Sequence, residues 1–240
     1  MTIIADAELI DDFAHFGILA FTTTRRSGTF SLSSDEPVHV VMQRWRQLRD
    51  ELSPGGASLA SATQVHGARV MVHSGEWEGW LRVDNVDGHV AVRRGLALVV
   101  SVADCVPIFV AHPQGAIALL HSGWRGTVGR IAERGIETLS QRGFPSTELR
   151  VHLGPAICGE CYEVGADVYR ELTGRLSSGK SAHVDLRSII ADHLRAAGVQ
   201  HVTISGRCTR CDNDRLFSHR VGDAGRQLAV MMAQRIESIS

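Results

Sequence analysis

Three short apolar segments follow one another with few residues between them: Leu96–Val102, Val106–Ala111 and residues 116–120. Each is rich in Val, Ile and Leu and bounded by turn residues. None shows the strict apolar–polar alternation of a strand with one wet face. Runs this short predict strands buried on both faces, neighbours in one sheet. With 240 residues, 44% of them hydrophobic, the chain can bury a substantial core as one large domain or two tightly fused halves.

Around these segments the periodicity predicts a helix over 38–52, with Val41, Trp45, Leu48 and Leu52 on one face, and a strand over 68–73. The clearest helix spans 126–142, where Val128, Ile131, Ala132, Gly135, Ile136 and Leu139 share a face, and Gly143 with Pro145 ends it. A strand at 149–153, helices at 164–172 and 186–197, a strand at 199–205 and a last helix at 225–236 complete the reading. Ser53-Pro-Gly-Gly56 and Ser177-Ser-Gly-Lys180 read as surface loops. Helices and strands mix without strict βαβ alternation, which predicts the α+β class and a single compact domain over 1–240.

Charge narrows the function classes. Twenty-five Lys and Arg against 26 Asp and Glu leave a formal net charge of −1, so no field draws the chain to nucleic acid or to an anionic membrane. The first twelve residues carry Asp6, Glu8, Asp11 and Asp12 and no basic n-region, and no apolar run approaches the roughly 20 residues of a membrane span. Five cysteines in a chain of this length argue for metal or catalytic use over a disulfide framework, and hence for a cytoplasmic setting.

Chemistry concentrates in Thr63-Gln-Val-His-Gly67, Ala103-Asp-Cys-Val-Pro107 and His121-Ser-Gly-Trp-Arg-Gly126. Each places a His or Cys at the edge of an apolar segment, in a turn punctuated by Gly or Pro. Imidazole and thiolate are the ligands zinc prefers, and three protein ligands leave a fourth position for a reactant. His66, Cys105 and His121 are therefore the expected ligands of one zinc. The N-terminus of the 126–142 helix and Arg125 add an anion-friendly flank. Cys158-Gly-Glu-Cys161 and Cys208-Thr-Arg-Cys211 form a rival: two C-x-x-C pairs that can make a four-cysteine zinc site. Their separation exceeds the roughly 15–20 residues of zinc ribbons, which favours reduced buried thiols. Dinucleotide, Walker A, H-E-x-x-H and G-x-S-x-G motifs are missing, and the twelve histidines contain no H-x-H pair of the kind expected where several coppers are held.

These segments, with Leu153-Gly-Pro, Cys161-Tyr-Glu-Val-Gly165, Cys208-Thr209 and Phe217-Ser-His-Arg220, resemble the laccase-domain family, also called multicopper polyphenol oxidase-like or purine nucleoside phosphorylase family proteins. The resemblance covers essentially the whole chain. It implies layered mixed sheets with outer helices, in the order α/β/β/α, and one zinc on His66, Cys105 and His121, with copper the less favoured metal. It also implies phosphorolysis of adenosine, inosine, guanosine and methylthioadenosine, together with adenosine deamination. Purine nucleoside and phosphate are then the partners, in a monomer or a homodimer. Arg25 and Arg125 are expected to hold phosphate, Gln64 to contact substrate, and Asp104, beside Cys105, to orient that ligand or carry a proton. A copper-dependent polyphenol oxidase and a peptidoglycan-editing factor are the alternatives. The segment after Thr23-Thr-Arg25 departs from the family pattern, which puts the N-terminal wall of the site in question.

Overall fold

The computed structural model describes residues 2–53 and 56–235. Pro54 and Gly55 of the expected 53–56 loop, and Ile236 of the expected last helix, lie outside them. The strands are β1 (Glu8–Leu9), β2 (Ile18–Thr22), β3 (Ser58–Thr63), β4 (Val70–His73), β5 (Trp80–Asp84), β6 (Gly88–Ala91), β7 (Leu96–Val102), β8 (Val106–Ala111), β9 (Ile117–Ser122), β10 (Arg150–Leu153), β11 (Glu163–Gly165), β12 (Ser181–His183), β13 (His201–Ile204) and β14 (Gln227–Ala233). The helices are α1 (Val38–Leu52), α2 (Trp124–Val128), α3 (Ile131–Ser140), α4 (Ala166–Thr173) and α5 (Leu186–Ala196).

Two six-stranded mixed sheets form the body, in the orders β1-β2-β14-β7-β3-β5 and β13-β10-β8-β9-β6-β4. Side chains show why the central segments lack alternation. In β7, Leu98 and Val100 face the layer between the sheets, while Ala97 and Val99 face α1 through Trp45 and Leu48. In β8 and β9, Phe109 and Leu119 enter the same middle layer, while Ile108, Val110 and Leu120 pack under α3 and α5 against Ile136 and Leu194. The result is an α+β fold layered α/β/β/α, as the resemblance implied. Among the described residues no helix is long and apolar enough to cross a membrane.

Four sequence expectations are corrected. The three apolar segments do not share a sheet: β7 lies in the first, and β8 and β9 pair in the second. Apolar runs report burial and cannot separate edge pairing from face packing. The expected 126–142 helix is two helices, because Arg130 takes a left-handed backbone (φ 61°) between α2 and α3. The expected helix at 225–236 is strand β14, fully buried and paired antiparallel with both β2 and β7. That pairing overrides the helical preference of its Leu, Ala and Met residues. The 164–172 helix begins at Ala166, since Glu163–Gly165 pairs with β12 as a short strand.

Candidate metal centre

The corner between the sheets builds the site. As the chain leaves β7 for β8 it turns at Asp104, whose left-handed backbone (φ 80°) sets Cys105 at the crossing. His66 stands just beyond β3, also left-handed (φ 58°), and His121 is the next-to-last residue of the fully buried β9. Left-handed backbone at non-glycine residues is costly and clusters at functional sites. One ligand atom from each of His66, Cys105 and His121 falls within 4.8 Å of the others. His121 is buried, Cys105 is half-buried and His66 is exposed, so the cluster opens to solvent on one side.

Asp87, fully buried at the entry to β6, ties the two histidines together. Its Oδ1 accepts from the His66 backbone N–H at 2.9 Å and lies 3.0 Å from His121 Nδ1. Its Oδ2 accepts from the N–H groups of Val65 and Gly67 at 3.3 and 2.8 Å. A carboxylate on Nδ1 fixes the tautomer and leaves Nε2 of His121 free for a metal. Burial alone would raise the Asp87 pKa, but the His121 contact and the backbone donors hold it below the usual carboxylate range. At Cys105, burial opposes ionisation, yet the charge of His121 and hydrogen bonds from His121 and His66 bring the thiol down to about 6. Burial works against charge on His121 as well, but Cys105 and Asp87 raise its pKa to about 9. The donor set of two imidazoles and a readily formed thiolate suits a metal ion. Gly123 makes room for it: a Cβ there would meet the Cys105 sulfur at 2.9 Å and His66 Cδ2 at 3.3 Å.

The remaining expected residues divide. Asp104 lines the cavity beside the cluster, but both carboxylate oxygens are engaged, by the Thr209 hydroxyl at 2.6 Å and the Arg220 N–H at 2.7 Å. Gln64 lines it too, with its amide clamped on the backbone of Ser101, donating to O at 2.9 Å and accepting from N at 2.7 Å. Arg125 lies over the Trp124 ring at 4.3 Å and faces the cavity without a carboxylate partner among the described residues. Arg25 is elsewhere. Its guanidinium is bound to Asp223 and donates to the carbonyls of Asn213 and Leu216, outside the cavity lining. The expected helix-end contribution shrinks as well, because α2 has only five residues.

The cavity has a volume of about 670 Å³ and reaches from the cluster to Phe30, Trp45 and Tyr162. Four arginines line it, Arg82, Arg125, Arg220 and Arg226, against the single carboxylate of Asp104. Sequence reasoning missed Asp87, Arg82 and Arg226. The one available signal for Asp87 was an acid set between Val86 and Gly88 in a short segment, Val86-Asp-Gly-His-Val90, that also carries His89.

Comparison with known proteins places this geometry in context. The family model described as multi-copper polyphenol oxidoreductase laccase matches residues 22–234. The purine nucleoside phosphorylase of Deinococcus radiodurans is 35% identical over 214 residues, covering 85% of this chain and 81% of that protein. The adenosine deaminase RL5 of an unknown prokaryotic organism is 34% identical over 233 residues, covering 85% of this chain and 88% of its own. The crystal structure of YlmD from Geobacillus stearothermophilus superposes with a TM-score of 0.84 at 29% identity, covering 91% of this chain and 93% of that one.

Proposed function

We propose, since this chain belongs to the multi-copper polyphenol oxidoreductase laccase family, that it is a zinc enzyme of purine nucleosides. Its reactions are phosphorolysis of adenosine, inosine, guanosine and methylthioadenosine, and deamination of adenosine. The observation that carries the reading is the three-residue cluster of His66, Cys105 and His121 at the floor of an arginine-lined cavity of nucleoside size. The names of the relatives, purine nucleoside phosphorylase and adenosine deaminase, point the same way.

His66, Cys105 and His121 would hold the zinc, which supplies Lewis acidity and positive charge beside the bound substrate. The chain's own groups do the rest. Asp87 orients His121 through Nδ1 and His66 through its backbone. Asp104, with both oxygens engaged, acts as a positioning residue for the turn that carries Cys105. Arg82 and Arg125 place positive charge where phosphate must lie, a task that Arg25, bound to Asp223, does not share. Tyr162 and Trp124 offer flat faces for the base. In phosphorolysis a phosphate oxygen bonds to ribose C1′ as the C1′–N9 bond breaks, and the electron pair leaves with the purine. In deamination water adds at C6 and ammonia departs.

Adenosine incubated with the protein should give adenine and ribose 1-phosphate when phosphate is present and inosine when it is not, with products separated by chromatography. Cys105→Ala and His121→Ala should suppress both reactions together. Copper in the purified protein, with dioxygen uptake on phenols and no nucleoside turnover, would replace this reading with the oxidase. Zinc-loaded protein inert toward every nucleoside would favour the cell-wall editing role.

A further inference from the structure

A second cysteine cluster lies behind the cavity wall. Strands β10 and β13 run parallel in register, Leu153 beside Ile204, and their chains continue side by side beyond the sheet. Ser205 donates its N–H to the Leu153 carbonyl at 2.8 Å, Ala156 bridges to Cys208, and Thr209 donates to the Ala156 carbonyl at 3.2 Å. Both C-x-x-C segments begin within a few residues of these strand ends. Each folds into a tight turn: the Cys161 and Tyr162 N–H groups return to the Cys158 carbonyl at 3.0 Å, and the Asp212 N–H to the Cys208 carbonyl at 2.8 Å. All four sulfurs of Cys158, Cys161, Cys208 and Cys211 then lie within 4.8 Å of one another, with Cys161 and Cys211 at 3.5 Å. The Cys158 N–H also points at the Cys208 sulfur, at 3.3 Å.

We propose that these four cysteines bind one structural zinc ion, distinct from the ion of the His66, Cys105 and His121 cluster. Tetrahedral coordination with Zn–S bonds of about 2.3 Å separates the sulfurs by about 3.8 Å, the spacing that this cluster approaches. Two disulfides would draw the sulfurs into pairs at about 2.05 Å and leave the pairs apart. Four thiolates close the coordination shell, so this ion has no position for substrate and serves the fold. Its place says what it stabilises. Ile157, one residue before Cys158, donates its N–H to the Asp104 carbonyl at 3.0 Å. Thr209, one residue after Cys208, donates its hydroxyl to the Asp104 carboxylate. Tyr162, next to Cys161, lines the cavity. The ion therefore pins two loops that hold the Asp104–Cys105 corner and one wall of the cavity.

Metal analysis of protein purified anaerobically under reducing conditions tests this. Two zinc ions per chain are expected. Cys161→Ser/Cys211→Ser should lower the count to one, and Cys105→Ala should lower it to one by removing the other. Because the double variant can fail to fold, the wild-type protein is also loaded with cobalt. Near-ultraviolet sulfur-to-cobalt absorption should then develop in two phases, the larger from four thiolates and the smaller from one. A single zinc lost by Cys105→Ala and kept by Cys161→Ser/Cys211→Ser overturns the proposal. So does an intact mass lighter by the hydrogens of one or two disulfides, or iron in place of the second zinc.

Discussion

Asp87→Asn is the sharpest probe of how the metal cluster is held. The substitution keeps the shape of the side chain and turns one oxygen into an NH2 donor. Either orientation of the amide sets that donor against two donors already in place. On the Oδ2 side it meets the N–H groups of Val65 and Gly67, and on the Oδ1 side those of His66 and His121. Two donors lose their acceptor, and because Val65, His66 and Gly67 are not themselves buried each costs toward the lower end of the about 1–3 kcal/mol of a buried group, so the variant should lose about 2 kcal/mol of stability. For a chain of this size that lowers the melting temperature by roughly 2–4 °C per kcal/mol. Metal affinity should fall about 10–100-fold, because the His121 tautomer is no longer fixed and the left-handed backbone at His66 loses its anchor. Unfolding is followed with a chelator present, so that lost metal does not count as lost stability. Zinc affinity is measured separately, by competition with a chromophoric chelator. A variant that melts with the wild type and binds zinc as tightly would refute the reasoning, since neither histidine would then depend on Asp87.

Gly123→Ala should weaken metal binding with little change in the chelator-treated melting temperature. Its φ of −85° suits alanine, whereas the new Cβ presses on the Cys105 sulfur. Arg125→Ala should raise the KM for phosphate and leave the conversion of adenosine to inosine unchanged; equal losses in both reactions would remove Arg125 from phosphate binding. Arg25→Ala should instead lower stability by about 1 kcal/mol in denaturant titration and spare the KM for phosphate, because it removes the part-buried ion pair with Asp223 and the donor to the Asn213 carbonyl, while Asp223 keeps Ser218 and Asn213. Burial above all, and then the charge of neighbouring His73, hold the His89 pKa at about 3. The unfolded chain takes up that proton near pH 6.5 and the folded chain does not, so stability is full above that pH. Below it, stability falls by about 1.4 kcal/mol per pH unit toward pH 3. Between pH 7.5 and 5.5, denaturant titrations should show a smaller loss of stability in His89→Gln than in the wild type, the difference being the His89 contribution; equal changes in the two would count against the assignment.

Which parts of this molecule were legible in the sequence follows from what sequence patterns encode. Burial of Leu96–Val102 and Val106–Ala111 was plain, because a strand covered on both faces has no polar face to show. Their membership of different sheets was not, since it depends on one turn whose special residue is Asp104 and not a glycine. Strand β14 read as a helix because Leu, Ala and Met favour helices in isolation, and the pairing that makes it a strand comes from β2 and β7, far away in the chain. The cluster of His66, Cys105 and His121 could be anticipated because each sits in its own short motif. The surroundings of Arg25 were hidden for the opposite reason: its motif is local, while its partners Asp223, Asn213 and Leu216 are about 190 residues distant.

The two cysteine pairs show where spacing rules stop working. Zinc-ribbon spacing assumes that the chain between the pairs must itself turn back to bring them together. Here α4, α5 and the strands between them fill that interval, and the parallel pairing of β10 with β13 performs the return. The cysteines meet because each pair follows a strand end in the same sheet, and the hydrogen bonds that carry this register past Leu153 and Ile204 end at Cys208. Asp104 then links the clusters. Its backbone carbonyl and carboxylate accept from residues adjacent to Cys158 and Cys208, and Cys105 is the next residue in the chain. A change that loosens the four-cysteine turns therefore reaches the His66, Cys105 and His121 cluster through Asp104, and by linkage the coupling acts equally in the other direction. Emptying the four-cysteine site should weaken zinc binding at the His66, Cys105 and His121 cluster, and emptying that cluster should weaken the four-cysteine site by the same factor, both read by chelator competition; unchanged affinities would refute the coupling.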